Sequence, residues 1–217
     1  MFKLNYKGSD YDKVEKKVSL AFAYVANFWG VKNYQVIINV FDSREEYNRA
    51  LGEKTADWMV GNSNNNVINI FSPVAMGKQG NHKSKEFDSI LTHEMTHSFL
   101  EKIVSGKFIP VWLNEGLAAY VAKQHRSSEK LYYVEENFCK QLGTHRGWDS
   151  NVKYGAYKLA AVFVNFLIKK YSFEKIKQLL NSLDKVYYYK NFQQLFFNVY
   201  GKTIDEMENE FVKFINK

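Results

Sequence analysis

The chain has 217 residues, of which 46% are hydrophobic and 17% aromatic, with only 2 prolines. So much apolar surface can offset chain entropy, which excludes a disordered or proline-rich protein. A single cysteine, Cys139, excludes an internal disulfide framework and a zinc site built from paired thiolates.

The net charge of +7 is concentrated in the second half of the chain. Residues 1–106 carry 13 basic and 12 acidic side chains, whereas residues 107–217 carry 17 and 11. The lysines of the second half are scattered, which favours solvated helix faces over a nucleic-acid or membrane patch. Since the sequence contains no nucleic-acid-binding motif, we expect no nucleic-acid partner. Binding to an anionic polymer stays an alternative, which steep salt dependence would reveal.

No segment predicts a membrane span or a signal peptide. The most apolar stretch, residues 18–29, is well short of the roughly 20 residues that a spanning helix needs. Asp10, Asp12 and Glu15 stand where a leader would be basic. The chain as written is therefore expected to be cytoplasmic, or secreted or surface-associated if a leader has been removed. The sequence does not indicate an oligomeric state.

The first half of the chain predicts a mixture of strands and helices. Helical periodicity covers Tyr11–Trp29, which Asp10 can cap and Gly30 can end. Strands are expected at 34–41 and 67–71, with a helix at 44–51 between them. Residues 61–66 are the most turn-like stretch, residues 57–60 are a candidate edge strand, and residues 77–85 are expected to be a loop.

The rest of the chain predicts helices. Their expected ranges are 88–104, 111–123, 129–142, 155–171, 173–183, 191–200 and 204–216, with Thr203 as the N-cap of the last. We therefore expect an N-terminal α/β lobe over residues 1–106 and a helical C-terminal lobe over residues 107–217.

Residues 93–97, His-Glu-Met-Thr-His, contain the residue types of a metal site. On a helix, His93 and His97 lie about 40° apart in projection and can bind one metal ion. Glu94 is about 100° from His93, so it can approach a water molecule without being a ligand. This H-E-x-x-H arrangement is typical of zinc hydrolases. The alternative is a pair of packing histidines on an apolar helix.

Two histidines leave a catalytic zinc ion one protein ligand short. Glu115 begins a second helix on which Ala118, Ala119 and Ala122 form a strip of small side chains. Such a strip allows a close helix–helix approach, and a carboxylate on it can reach a metal held by the facing helix. Glu115 is therefore the candidate third ligand.

The two motifs together, His93-Glu94-x-x-His97 and Trp112-Leu113-Asn114-Glu115-Gly116-Leu117-Ala118, resemble the gluzincin metallopeptidases. The similarity is greatest to the small peptidase-MA-like group, which is related to the thermolysin and aminopeptidase N families, and it extends from about residue 34 to the C terminus. The resemblance implies an α+β zincin-like fold, in which a small N-terminal mixed sheet with helices precedes the helical lobe and the active site lies between them. It also implies one Zn²⁺ ion held by His93, His97 and Glu115, with Glu94 as the catalytic base.

The sequence departs from those families at two places. Ala119 stands where thermolysin-like enzymes have an Asp that orients the first histidine, so another acceptor must perform that role. The stretch from Gly61 to Asn64 has no counterpart of the Glu with which aminopeptidase N-like enzymes bind the substrate amine. An endopeptidase acting on peptides or proteins is therefore expected, with an aminopeptidase as an alternative.

The resemblance implies a mechanism in which a zinc-activated water attacks the peptide carbonyl while Glu94 accepts its proton. In related enzymes a Tyr or His stabilises the oxyanion; Tyr154 is the first candidate here, Tyr157 the second and His145 the third. A non-catalytic zinc module that binds peptides or has a regulatory role stays an alternative, although binding alone would not need Glu94.

A substrate is expected to bind as an extended strand along the edge of the N-terminal sheet. Trp58, Gly61 and Asn62 are the candidate substrate-binding residues, and the alternative is an edge that binds nothing. His82 and His125 are expected at the surface, and Cys139 is expected to be a buried small hydrophobic residue.

Overall fold

The computed structural model describes residues 1–124 and 136–216 and shows a mixed α+β fold. The chain forms two compact units, Met1–Glu101 and Lys102–Lys217. The first contains a four-stranded sheet and the second is helical, as the sequence predicts. The lobe boundary after residue 106 stays a prediction. The predicted helix over 129–142 falls partly outside the described residues, and His125 lies wholly outside them.

The sheet consists of β1 (Phe2–Asn5), β2 (Val36–Phe41), β3 (Gly61–Asn64) and β4 (Val67–Phe71), in the order β1-β2-β4-β3. Strands β1, β2 and β4 are parallel, and β3 pairs antiparallel with β4 at the edge. Buried and half-buried residues alternate along β2, because successive side chains point to opposite faces of a sheet.

The helices of the first unit begin with α1 (Tyr11–Trp29), α2 (Arg44–Leu51) and α3 (Pro73–Gln79). Helix α1 buries Val14, Val18, Ala21 and Val25, which recur on one face at helical spacing. Ser43 caps α2 by accepting a hydrogen bond from the Glu46 amide, as its position before a helix predicts. The long helix α4 (Phe87–Val104) follows.

Four local predictions in this unit are wrong in whole or in part. Within the turn-like stretch 61–66 the turn is limited to Asn65 and Asn66, because residues 61–64 pair with β4 and form strand β3. The edge strand predicted at 57–60 is absent. Part of the loop predicted at 77–85 belongs to α3, which Ser72 caps. Asp10 does not cap α1 with its side chain, because its carboxylate accepts a hydrogen bond from the Tyr6 hydroxyl. Strand β1 was not predicted from the sequence at all.

The helical unit is built from short and medium helices. They are α5 (Val111–Val121), α6 (Phe138–Gln141), α7 (His145–Asn151), α8 (Ala156–Tyr171), α9 (Phe173–Asn181), α10 (Tyr189–Tyr200) and α11 (Ile204–Ile215). Thr203 caps α11 in a capping box with Glu206, as predicted. Helix α7, which Thr144 caps, was not predicted.

The core of this unit is aromatic and closely packed around α5 and α8. A Cβ on Gly116 of α5 would lie 2.6 Å from the Ala160 carbonyl oxygen of α8, so only glycine allows this approach of the two helices. The ring of Phe163 lies 5.3 Å from Trp112 and 5.1 Å from Phe211, measured between centroids. Gly116, next to Glu115, therefore allows the close packing of α5 on α8.

Cys139 is buried, as predicted. Its backbone amide donates a hydrogen bond to the buried carboxylate of Glu208 on α11. Burial raises the pKa of both side chains, so the thiol stays protonated and unreactive at neutral pH. Within the described ranges, no helix combines the length and the apolar character that crossing a bilayer requires.

Candidate active site

Helix α4 positions the histidine motif and is anchored by its apolar side. Leu91, Met95 and Phe99 are fully buried and recur every four residues along the helix. A hydrogen bond of 3.1 Å from the Ser98 hydroxyl to the Asn65 carbonyl ties α4 to the turn between β3 and β4. The motif therefore stands on a regular element that is packed against the sheet.

His93 and His97 direct their Nε2 atoms at one another. The two nitrogens are 3.0 Å apart, and the rings are nearly perpendicular with centroids separated by 4.6 Å. Two imidazole nitrogens bound to one tetrahedral zinc ion would be about 3.3 Å apart, given Zn–N bonds of about 2.0–2.1 Å. The observed arrangement is therefore close to that of two ligands of one ion.

Glu94 extends from the same helix to the edge strand of the sheet. A Cβ built on Gly61, the first residue of β3, would lie 2.9 Å from both Cγ and Oε1 of Glu94. Gly61 therefore provides the space that the Glu94 carboxylate occupies. Tyr47 is fully buried nearby, and burial together with the charge of Glu94 raises its pKa, which keeps its hydroxyl protonated.

Glu115 is half-buried in the first half of α5. One ligand atom each from His93, His97 and Glu115 lies within 4.8 Å of the other two, and within the described part of the chain these residues form the group of His, Cys, Asp and Glu side chains that could hold a metal ion. The set contains two nitrogen donors and one carboxylate, which is the ligand set of a catalytic zinc site with an open position.

The three candidates for oxyanion stabilisation occupy different environments in the helical unit. Tyr154 is 75% exposed and lies just before Gly155, whose φ of 91° allows the sharp entry into α8. The ring of Tyr157 packs edge-on against Trp148 with 4.9 Å between centroids. His145 is exposed in the first turn of α7. The role of each stays a prediction.

Among the described residues, strand β3 is the last strand of the sheet on the side next to Glu94. The Phe71 amide donates a hydrogen bond to the Val60 carbonyl at 2.9 Å, so Val60 and Phe71 form a hydrogen-bonded pair. In an antiparallel ladder, residue pairs that are hydrogen-bonded alternate with pairs that are not. The backbone groups of Asn62 are therefore directed at Asn69 in β4, whereas those of Gly61 and Ser63 are directed away from β4.

Asn62 belongs to a row of asparagines that crosses the whole sheet in register. Asn5 donates to Asn39 at 2.8 Å, Asn39 donates to Asn69 at 2.9 Å, and Asn62 lies opposite Asn69. This row occupies the face opposite to that of Gly61, because neighbouring residues of a strand alternate. The geometry thus favours Gly61 and Ser63 over Asn62 for contact with a substrate, and the role of Asn62 stays a prediction.

Trp58 lies in the segment before β3 and is 45% exposed. Its carbonyl oxygen is 3.1 Å from Nε2 of His82, whose Nδ1 is 3.0 Å from the Glu86 carboxylate. The His82 side chain is 32% exposed, so it lies at the surface as predicted, and both of its ring nitrogens have a polar partner. The spacing of His82 and Glu86, four residues apart, was the available sequence signal.

The model of one family, the peptidases of plants and bacteria (BSP), matches residues 53–211. The chain belongs to this family. No curated protein and no solved structure matches the chain.

Membership of the BSP family identifies the chain as a peptidase that acts on peptide or protein substrates. The matched range includes Trp58, Gly61, the histidine motif, Glu115 and Tyr154. It does not include β1, α1, β2 or α2. Of the two central parallel strands of this BSP peptidase, β2 therefore lies outside the matched range and β4 lies inside it.

Proposed function

We propose that the protein is a zinc endopeptidase in which His93, His97 and Glu115 bind one Zn²⁺ ion and Glu94 is the general base. The observation that carries the proposal is the convergence of the two Nε2 atoms, 3.0 Å apart on α4, in a chain that belongs to a peptidase family. The proximity of a Glu115 carboxylate oxygen to both imidazoles supports the same ligand set. The gluzincin relationship inferred from the motifs is part of this proposal.

When bound, zinc supplies Lewis-acid chemistry: it polarises a peptide carbonyl and lowers the pKa of a water molecule towards about 7. Glu94 accepts a proton from the attacking water at a carboxylate oxygen and donates it to the nitrogen of the leaving amine. Gly61 leaves the room in which this carboxylate can face the substrate. Tyr154 is proposed to stabilise the developing oxyanion, with Tyr157 and His145 as alternatives.

The substrate is proposed to lie antiparallel or parallel along β3, the edge strand of the sheet. The backbone groups of Gly61 and Ser63 that are directed away from β4 can pair with an extended peptide. Trp58 offers an exposed apolar surface to a substrate side chain. Since residues 61–64 include no carboxylate, a free N-terminal amine would find no ionic partner on β3, which favours an endopeptidase over an aminopeptidase.

The test uses a mixed-sequence library of quenched fluorescent peptides with acetylated N termini. The wild-type protein should cleave members of the library, and a chelator should abolish cleavage. Glu94→Gln should lower kcat by roughly 100- to 10,000-fold, the usual contribution of a general base, while zinc content by elemental analysis stays at the wild-type level. Glu115→Ala should lose zinc, because even partners of zinc ligands change metal affinity by about 10- to 100-fold.

Each outcome bears on a different part of the proposal. Undiminished cleavage by the Glu94→Gln variant would remove Glu94 from the mechanism. Unaltered zinc content in the Glu115→Ala variant would remove the third ligand. Cleavage of the same peptides without the acetyl group, but not of the acetylated library, would establish an aminopeptidase. Zinc-dependent peptide binding without cleavage of either form would establish a binding module.

A further inference from the structure

The segment from Thr55 to Val60 has no regular secondary structure apart from a turn, yet its carbonyl groups from Ala56 to Val60 all accept hydrogen bonds. Each carbonyl oxygen from Ala56 to Val60 has a polar partner within 3.1 Å. Irregular backbone of this kind is held by side chains from elsewhere, because it cannot satisfy its own carbonyl groups. The segment therefore depends on those side chains for its conformation.

Arg44, in the first turn of α2, supplies most of these bonds. Its Nη1 donates to the hydroxyl of Thr55 at 2.9 Å and to the carbonyl oxygens of Ala56 and Met59 at 3.1 and 2.5 Å. Its Nη2 donates to the carbonyl oxygens of Asp57 and Gln79 at 2.9 and 3.0 Å. A planar guanidinium has the several donors in fixed directions that this arrangement requires, and an ammonium does not.

Arg44 is itself held firmly. Its guanidinium carbon lies 4.4 Å from the ring centroid of Phe71 in β4, and its backbone amide donates to Oε1 of Gln79 at 2.7 Å. One turn further along α2, Tyr47 is fully buried against the same Phe71 ring. The conformation of the segment is therefore fixed relative to β4 and hence to β3, its partner strand.

We infer that Arg44 is a positioning residue for peptide binding: it fixes the segment that presents Trp58 and leads into the substrate edge at Gly61. The inference rests on the proposed function. It is carried by a contrast within the segment: the carbonyls of Asp57 and Met59, on either side of Trp58, accept hydrogen bonds from Arg44, while the side chain of Trp58 stays 45% exposed. A large apolar side chain that is exposed on a rigid backbone binds a ligand at a lower cost in backbone ordering entropy.

The test compares Arg44→Lys with Arg49→Lys. Arg49 lies on the same helix, is 72% exposed and pairs with Glu45, so it is a matched control. For the most rapidly cleaved peptide of the library, Arg44→Lys should raise KM about tenfold with kcat within about twofold of the wild type. In the inactive Glu94→Gln background, Arg44→Lys should weaken binding of that peptide by the same factor. Arg49→Lys should change neither quantity, and zinc content should be equal in all variants.

A purely structural role would lower Tm and the active fraction but leave KM and the peptide Kd unchanged, and that result would overturn the inference. Should Arg44→Lys not yield folded protein, Thr55→Val removes one acceptor of Arg44 and should raise KM about threefold. An unchanged KM in that variant would also overturn the inference. Chelator-resistant cleavage would refute the proposed metal mechanism instead, and the KM comparison would still decide the role of Arg44.

Discussion

Helix α4 approaches the stretch of residues 55–64, which consists of the Thr55–Val60 segment and strand β3, at Glu94 and Gly61. Different interactions hold the helix and this 55–64 stretch in place. The backbone of α4 forms its hydrogen bonds within the helix, and the helix is anchored by buried apolar residues that recur along it. The 55–64 stretch depends on side chains outside it, those of Arg44 and His82, and on its partner strand β4. We therefore expect changes in α4 to affect metal binding and kcat, and changes in the 55–64 stretch to affect mainly KM.

Gly61→Ala is expected to have the largest effect of any change in the 55–64 stretch. It should change kcat rather than KM, and so depart from the division of effects between the two regions. The new Cβ would lie 2.9 Å from Cγ and Oε1 of Glu94, so the carboxylate must move. We expect kcat to fall by roughly 100-fold, in line with displacement of a catalytic group by about 1 Å, with zinc content unchanged. Steady-state kinetics measures kcat, and elemental analysis measures the zinc content.

The control for this prediction is Gly77→Ala. Its Cβ would lie 2.8 Å from a side-chain oxygen as well, that of Ser84, but in helix α3. It should keep kcat within about twofold of the wild type, because no catalytic group is displaced. Equal losses in the two variants would mean that Gly61 matters for folding rather than for the position of Glu94.

Trp58→Ala should have an intermediate effect, on KM alone, as expected for a change in the 55–64 stretch rather than in α4. Loss of an exposed aromatic contact is expected to raise KM by about fivefold, since an aromatic contact contributes on the order of 1 kcal/mol, while kcat stays near the wild-type value. Trp58→Phe should restore most of the affinity. Tyr188→Ala removes another aromatic side chain, 73% exposed, and should leave KM unchanged; a rise there would make the Trp58 result unspecific.

The smallest effect is expected at Glu210, which belongs to neither region. Hydrogen bonds from Lys170, Lys202 and Tyr171 lower the pKa of Glu210 from 4.5 to about 2. Because the pKa is lower in the folded state, this stabilisation is present above pH 4.5 and is lost as the pH falls towards 2. The site is 26% exposed, so screening limits the contribution to about 1 kcal/mol.

Thermal unfolding between neutral and acidic pH would measure this contribution. Glu210→Gln should lower Tm at neutral pH and reduce its dependence on pH, with KM and kcat unchanged. Glu174→Gln, which alters a pair whose carboxylate is 75% exposed, should have little effect on Tm. A similar Tm loss in both variants would contradict the assignment of the lowered pKa to the bonds of Glu210.

The regular elements could be predicted because their determinants are local. The bounds of α1, α2 and β4 agree with the prediction to the residue, since apolar spacing and the capping residues Ser43 and Gly30 mark them. The histidine motif was likewise evident from spacing alone. Strand β1 was missed because Phe2–Asn5 has weak local propensity and gains its conformation from pairing with β2.

The surroundings of the candidate site could not be predicted, because they depend on tertiary contacts. Nothing near Arg44 in the sequence indicates that it binds carbonyl groups up to 35 residues away. The asparagine cluster indicated a turn, which Asn65 and Asn66 form, but pairing with β4 makes residues 61–64 the edge strand. Glycine is needed at position 61 because the side chain of Glu94 lies against it, and this contact joins residues 33 positions apart that the sequence alone does not connect.

The place of β2 in the sheet has a practical consequence. The family match begins at residue 53, yet β2 lies between β1 and β4 and contributes the fully buried Val36 and Ile38. A fragment trimmed to the matched residues would lose this central strand and leave β4 without its parallel neighbour, so a fragment that keeps the sheet intact has to include β2 as well.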